Sequence, residues 1–179
     1  HPPAQQLPLL ADNLEFVEIQ NTTGSDVELT DWRIRGGIDF DFAIDEMLAA
    51  GDVIVVVPFD PATSPVLDAD FRLFYGIDAS VDLVGPFTGK LDNGSDRITL
   101  QRPDSPPLEE PNFIPRLLED EVTYDDNAPW VISPDGSGDS LHRVGTSSWG
   151  QEATNWFGGD PTPGNGVGDT LQVSSVRWN

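Results

Sequence analysis

The chain has 179 residues, and nine Lys and Arg against thirty-one Asp and Glu leave a net charge of −22, which excludes partners that need a basic surface, nucleic acid first among them. With 37% hydrophobic residues, five Trp and nine Phe, there is enough apolar material for one packed core, so this is no disordered acidic tail. Seventeen Gly and sixteen Pro interrupt the chain too often for long helices and predict an all-β domain of short strands and turns.

Glu15 to Gln20 alternates polar and apolar residues; Asn21 to Asp26 is rich in turn residues, and a second alternating run extends from Val27 to Arg35. This is the pattern of an antiparallel hairpin. Within the second run the phase changes at Thr30-Asp31, which predicts a bulge or bend, and Trp32 is expected in the core beside Leu29 and Ile34. After Gly36-Gly37, Ile38, Phe40 and Phe42 alternate with Asp39 and Asp41, a strand with one acidic, wet face. Val53 to Val57 is continuous and β-branched, which predicts a strand buried on both faces at the centre of a sheet.

Phe71, Phe74 and Tyr75 lie at helical spacing before Gly76, which predicts one short helix with a glycine stop. Val81 to Phe87 and Arg97 to Leu100 read as strands on either side of the turn-rich segment Gly89 to Gly94, and Val122 to Tyr124 and Leu141 to Val144 as further strands. Pro103 to Leu118 contains five prolines and reads as a long inserted surface loop. Residues 1–164 are expected to form the domain and 165–170 a linker. The alternating run at 171–179 reads as the start of a following module.

Three blocks, Glu15-Phe16-Val17-Glu18-Ile19-Gln20-Asn21, Val27-Glu28-Leu29-Thr30-Asp31-Trp32 and Gly36-Gly37-Ile38-Asp39-Phe40-Asp41-Phe42, resemble the opening of a bacterial lamin tail domain. The resemblance continues through Leu48-Ala49-Ala50-Gly51, Gly85 to Ile98, Val122 to Asp126 with Pro129-Trp130, Asp135 to Leu141, Asn155-Trp156 and Pro161-Thr162-Pro163-Gly164, covering residues 15–164. It implies an immunoglobulin-like β-sandwich of antiparallel strands, acting as a non-catalytic structural or interaction module of a larger exported, multidomain protein. An extracellular or cell-surface location and a protein or cell-surface partner follow from the same resemblance. The Pro-rich loop and the acidity depart from the family, and the acidity removes the chromatin role of animal lamin tails. Relatives open with an alternating strand ending in a Tyr/His-Pro turn. His1-Pro2-Pro3 resembles that turn alone, so Leu7 to Leu10 is expected either to substitute for the strand or to leave an edge open to edge-to-edge self-association.

The chain has no cysteine, which removes disulfides, thiolate metal sites and a thiol nucleophile. Asp139, Ser140 and His142 lie too close on one strand to converge as a triad, and no nucleophile elbow is present, so His142 reads as a solvent-facing strand histidine. No stretch approaches the roughly 20 apolar residues of a spanning helix, so no membrane insertion is expected. No cofactor is required by anything in the sequence. Calcium is the metal the composition favours, because hard cations take oxygen ligands from loops. Asp125 and Asp126, with Asp135 and Asp139, are the candidate ligands; the competing reading is that they cap backbone amides in turns. Trp130, Trp149 and Trp156 carry an alternative, a carbohydrate-binding module that would present them as an exposed planar row.

Overall fold

The computed structural model describes residues 11–133, 138–145 and 149–166, together with the backbone of 175–178. A short 3-10 turn, Ala11–Leu14, precedes β1 (Val17–Gln20), β2 (Val27–Glu28), β3 (Arg33–Gly36), β4 (Ile38–Asp41), β5 (Met47–Leu48) and β6 (Val53–Val56). The helix α1 (Pro65–Tyr75) leads to β7 (Asp82–Val84), β8 (Thr88–Gly89), β9 (Ser95–Pro103), β10 (Arg116–Asp125), β11 (Ser140–Arg143), β12 (Trp156–Gly159) and β13 (Ser175–Trp178). The fold is all-β with one short helix. Among the described residues three sheets form, with strand orders β12-β11-β13-β1-β6-β7, β10-β9-β3-β4-β8 and β2-β5.

One core cluster draws on all three sheets. Val17, Ile19, Ile54, Val56, Leu141 and Trp156 enter it from the six-stranded sheet, Ile34, Ile38, Ile98, Leu100 and Val122 from the five-stranded sheet, and Leu48 from β5. A second cluster lies beneath α1, where Leu14, Phe16, Val55, Val57, Phe59, Phe71 and Leu83 pack together. The alternate residues of β6 therefore serve two cores, Ile54 and Val56 one, Val55 the other. This is why the run is apolar without alternation. It is not central, however: β6 lies one strand from the edge, and the helix supplies the second cover.

α1 starts with proline in its first turn and stops at Gly76, whose left-handed conformation (φ 66°) lets its N–H reach the Arg72 carbonyl. The Arg72 guanidinium bonds Asp68 at 2.9 Å and the carbonyls of Asp78 and Val81, tying the helix to the approach to β7. β6 and β7 pair in parallel, so the purely antiparallel arrangement expected from the sequence is broken at this one helical crossover among the described pairings.

Asp31 takes a positive φ of 62° at the expected bend. The consequence is larger than a bulge, because β2 before it and β3 after it lie in different sheets. Trp32, at that corner, is half-buried against the core rather than enclosed. It borders a cavity of about 120 Å³ shared with Thr22, Val27, Leu29 and Leu100.

The Pro-rich stretch differs from a loop inserted between separate strands. β9 and β10 are the longest strands and pair as one hairpin, with Asp104 N–H closing its neck on the Pro115 carbonyl at 2.9 Å. Only 104–115 is loop. Residues 175–178, read from the sequence as part of a following module, instead pair with β1 and touch β11 within the six-stranded sheet. Leu7 to Leu10 lies outside the described residues.

Candidate functional site

Asp125 and Asp126 end β10, and their carboxylates are engaged locally. Asp125 Oδ1 accepts the Asn127 N–H at 2.8 Å and its Nδ2 at 2.7 Å, while Asp126 Oδ1 accepts Nδ2 at 2.6 Å. The Asn127 side chain, then its backbone N–H, holds the Asp125 carboxyl below the usual carboxylate range. Asp92 plays the same part nearby, accepting the Gly94 N–H at 2.8 Å, and Asp126 N–H bonds the Gly94 carbonyl at 2.7 Å. These aspartates act as turn caps. Asp135 lies outside the described residues, and Asp139 is half-buried. Among the described residues no three His, Cys, Asp or Glu side chains gather as a metal-ligand set.

The three tryptophans are not placed alike. Trp156 is 3% exposed, donates from Nε1 to the Gly150 carbonyl at 2.8 Å and lies under the Arg143 guanidinium, 5.3 Å from its ring centre. Trp130 is half-buried on the main core, while Trp149 is 44% exposed. They form no exposed row, because the core claims one ring and half of another. His142 is likewise no surface residue: it is buried, stacks on Phe157 at 5.2 Å, and its Nε2 lies 3.0 Å from the Asp160 carbonyl.

Sequence reasoning missed two features. The first is a buried ion pair between Asp120 and Arg143, each side chain almost fully enclosed. Burial pushes the Asp120 carboxyl up, opposed by the Arg143 charge and by N–H donors of Glu121 and Gly150. Nothing in local pattern links residues on β10 and β11. The second is the β9–β10 hairpin tip, where Leu108 is 95% exposed and Phe113 55%, with Ile114 and Leu118 also outside the core. Its backbone is held by turns in which Glu110 N–H bonds the Pro107 carbonyl and Phe113 N–H the Glu110 carbonyl, both at 3.0 Å. Leu108, Phe113 and Ile114 within an otherwise polar, Pro-rich loop were the available signal.

Beside the tip lies the outer face of the five-stranded sheet. Ile34, Ile98 and Leu100 enter the core, so the alternate residues Arg33 and Arg35 on β3 and Arg97 and Gln101 on β9 lie on the opposite face, with Thr99 buried among them. Gln101 is flanked by Arg33 on β3 and Leu118 on β10. Arg35 reaches Asp41 at 2.6 Å and Arg97 reaches Glu121 at 2.6 Å. The arrangement is a polar, partly cationic sheet face running into an apolar tip. Among the described residues no helix is long and apolar enough to cross a membrane. No family model, curated protein or solved structure matches the chain.

Proposed function

We propose that this chain is a non-catalytic interaction module, an immunoglobulin-like β-sandwich of the lamin tail type within a larger exported protein. It presents the β9–β10 hairpin tip to a protein or cell-surface partner. The sandwich reading is supported by the single core cluster to which both large sheets contribute. The observation that carries the functional reading is the tip itself: Leu108, Phe113 and Ile114 stand exposed on a hydrogen-bonded loop at the end of the longest strands, with Leu118 exposed on β10 beside it. Exposed apolar side chains grouped in this way mark contact sites, because covering them gains free energy in proportion to the area removed from water.

The test is binding of the labelled chain to intact bacterial envelopes, comparing the natural sequence with Phe113→Gln and Ile114→Gln. Surface changes of this kind leave stability within about 0.5 kcal/mol. The expected result is at least about tenfold weaker adherence, equivalent to about 1.4 kcal/mol, with an unchanged melting temperature. Equal adherence of all three would overturn the reading.

A further inference from the structure

The charge balance makes any cation without a carboxylate partner unusual here. With thirty-one acids to nine bases, a cation on this surface has acids to spare. Arg35, Arg72, Lys90, Arg97, Arg102 and Arg143 each meet one. Among the residues whose side chains are described, Arg33 and Arg116 are the arginines that form no ion pair. They are also neighbours. Arg33 donates from Nε to Gln101 Oε1 at 2.8 Å. Arg116, across the sheet on β10, donates from Nη1 to the Asp31 carbonyl, which lies two residues before Arg33.

We infer that Arg33 and Arg116 form an anion site at the foot of the hairpin tip and that its occupant is an acidic side chain of a partner's apolar-acidic peptide segment. The inference rests on the interaction-module reading and names the chemistry of the partner. Two guanidinium groups on the same sheet face, with β9 between their strands, repel each other, an arrangement an arriving carboxylate relieves while accepting their remaining N–H donors. The repulsion is felt in the free protein: burial first, then the charges of Arg116 and Arg35, holds the Arg33 guanidinium below its ordinary value, against the weaker pull of Asp41 and Asp39.

The surroundings select a peptide over a bare anion. Leu118, 44% exposed, shares the outward face with Arg116 two residues away and flanks Gln101 opposite Arg33. Phe113 and Ile114 lie three and two residues before Arg116, across Pro115. A segment that places an acid over the arginines can therefore lay an apolar side chain on Leu118 and the tip. Elsewhere the −22 surface repels acids. At physiological salt, where screening acts over about 8 Å, the pair would fix the docking register more than supply the affinity.

The probe is a short fluorescent peptide that alternates glutamate with leucine, its anisotropy measured against the full chain. The expected result is saturable binding that weakens as NaCl is raised. Arg33→Gln and Arg116→Gln should each weaken it about tenfold, the loss of a charge-assisted hydrogen bond. Arg102→Gln, whose parent arginine is already paired with Glu119 at 2.8 Å, should leave it within about twofold. Melting temperatures report folding of each variant, and Arg116→Gln at the sheet edge serves if Arg33→Gln fails to fold.

Equal binding of a glutamine-leucine peptide would overturn the anion site while leaving the apolar tip as a contact surface. Failure of both peptides would overturn the site. Tighter binding of a sulfated oligosaccharide would overturn the peptide assignment, as would a dimer of the chain itself that Arg33→Gln abolishes. Leu118→Gln separates the two readings: loss of both peptides supports the tip, whereas loss of neither removes its part in the site.

Discussion

Asp120 and Arg143 meet where water does not reach, and their cost and benefit are both large. Removing one partner strands the other charge. Asp120→Asn is therefore expected to lower stability by about 3–5 kcal/mol in urea unfolding, while the apolar double variant Asp120→Leu with Arg143→Met recovers most of that loss. A double variant as unstable as the single would show that the pair has a role beyond satisfying itself. Trp156 covers the Arg143 guanidinium from one side. Trp32 behaves differently, since half of its ring borders a cavity. Trp32→Ala should cost about 1–3 kcal/mol, within the common range for single substitutions, and less than the roughly 3–5 kcal/mol of an enclosed aromatic such as Phe71→Ala.

Among the elements, the closest backbone approach is at the turn between β3 and β4. Gly36 has φ 134°, and a Cβ there would lie 1.7 Å from the Arg97 carbonyl oxygen. The opposing atom is backbone in the neighbouring strand and cannot swing aside. Gly36→Ala should therefore separate β3 from β9 and lower the melting temperature far more than Gly51→Ala, where φ is also positive but nothing lies within 4 Å. Similar losses at both positions would mean that φ strain alone governs the turn. This contrast also shows what local pattern could reveal. The Gly36-Gly37 break, the helix before Gly76 and the bend at Thr30-Asp31 were legible because each is written in adjacent residues. The parallel pairing of β6 with β7, the entry of β13 and the Asp120–Arg143 pair were not, because they join residues whose spacing carries no periodic signal. The candidate site was legible as composition alone: a polar, Pro-rich loop holding Leu108, Phe113 and Ile114. The hairpin's extent was hidden by proline, which sits at the last position of β9, opposite Arg116, and in the tip. The edge strand β10 also carries Glu119, Asp120 and Glu121 and a register shift between Leu118 and Asp120, features that discourage pairing with a second molecule.

For the whole molecule, the charge of −22 makes pH a lever on stability. Burial, the leading cause in each case, raises the carboxyls of Glu15, Glu46 and Asp82 above their ordinary range. A raised carboxyl binds its proton more tightly in the fold than in the open chain. Its contribution is complete below the unfolded value and is lost as pH rises through the folded one. Asp60, Asp78 and Asp125 run the other way. Donors from Thr63, Ser80 and Asn127 lower them, so their contribution holds at neutral pH and is lost as pH falls through their folded values. Partial protonation also relieves self-repulsion. The melting temperature should thus rise as pH falls from neutrality towards roughly 5 and drop below roughly 4, where ordinary carboxylates protonate. A monotonic fall from pH 7 downward would contradict this account.

The strand order also sets an order in time. β9 and β10 are joined by their own loop and can find each other as soon as both have left the ribosome. β1 emerges early but gains one neighbour, β6, well before the other, β13, has been made. β11 waits for the same late strand. Throughout that interval the growing chain carries two half-sheets with unsatisfied flanks, held apart from other chains chiefly by their shared negative charge. The acidity would act as a guard during synthesis, keeping neighbouring nascent chains from supplying the missing strand to one another.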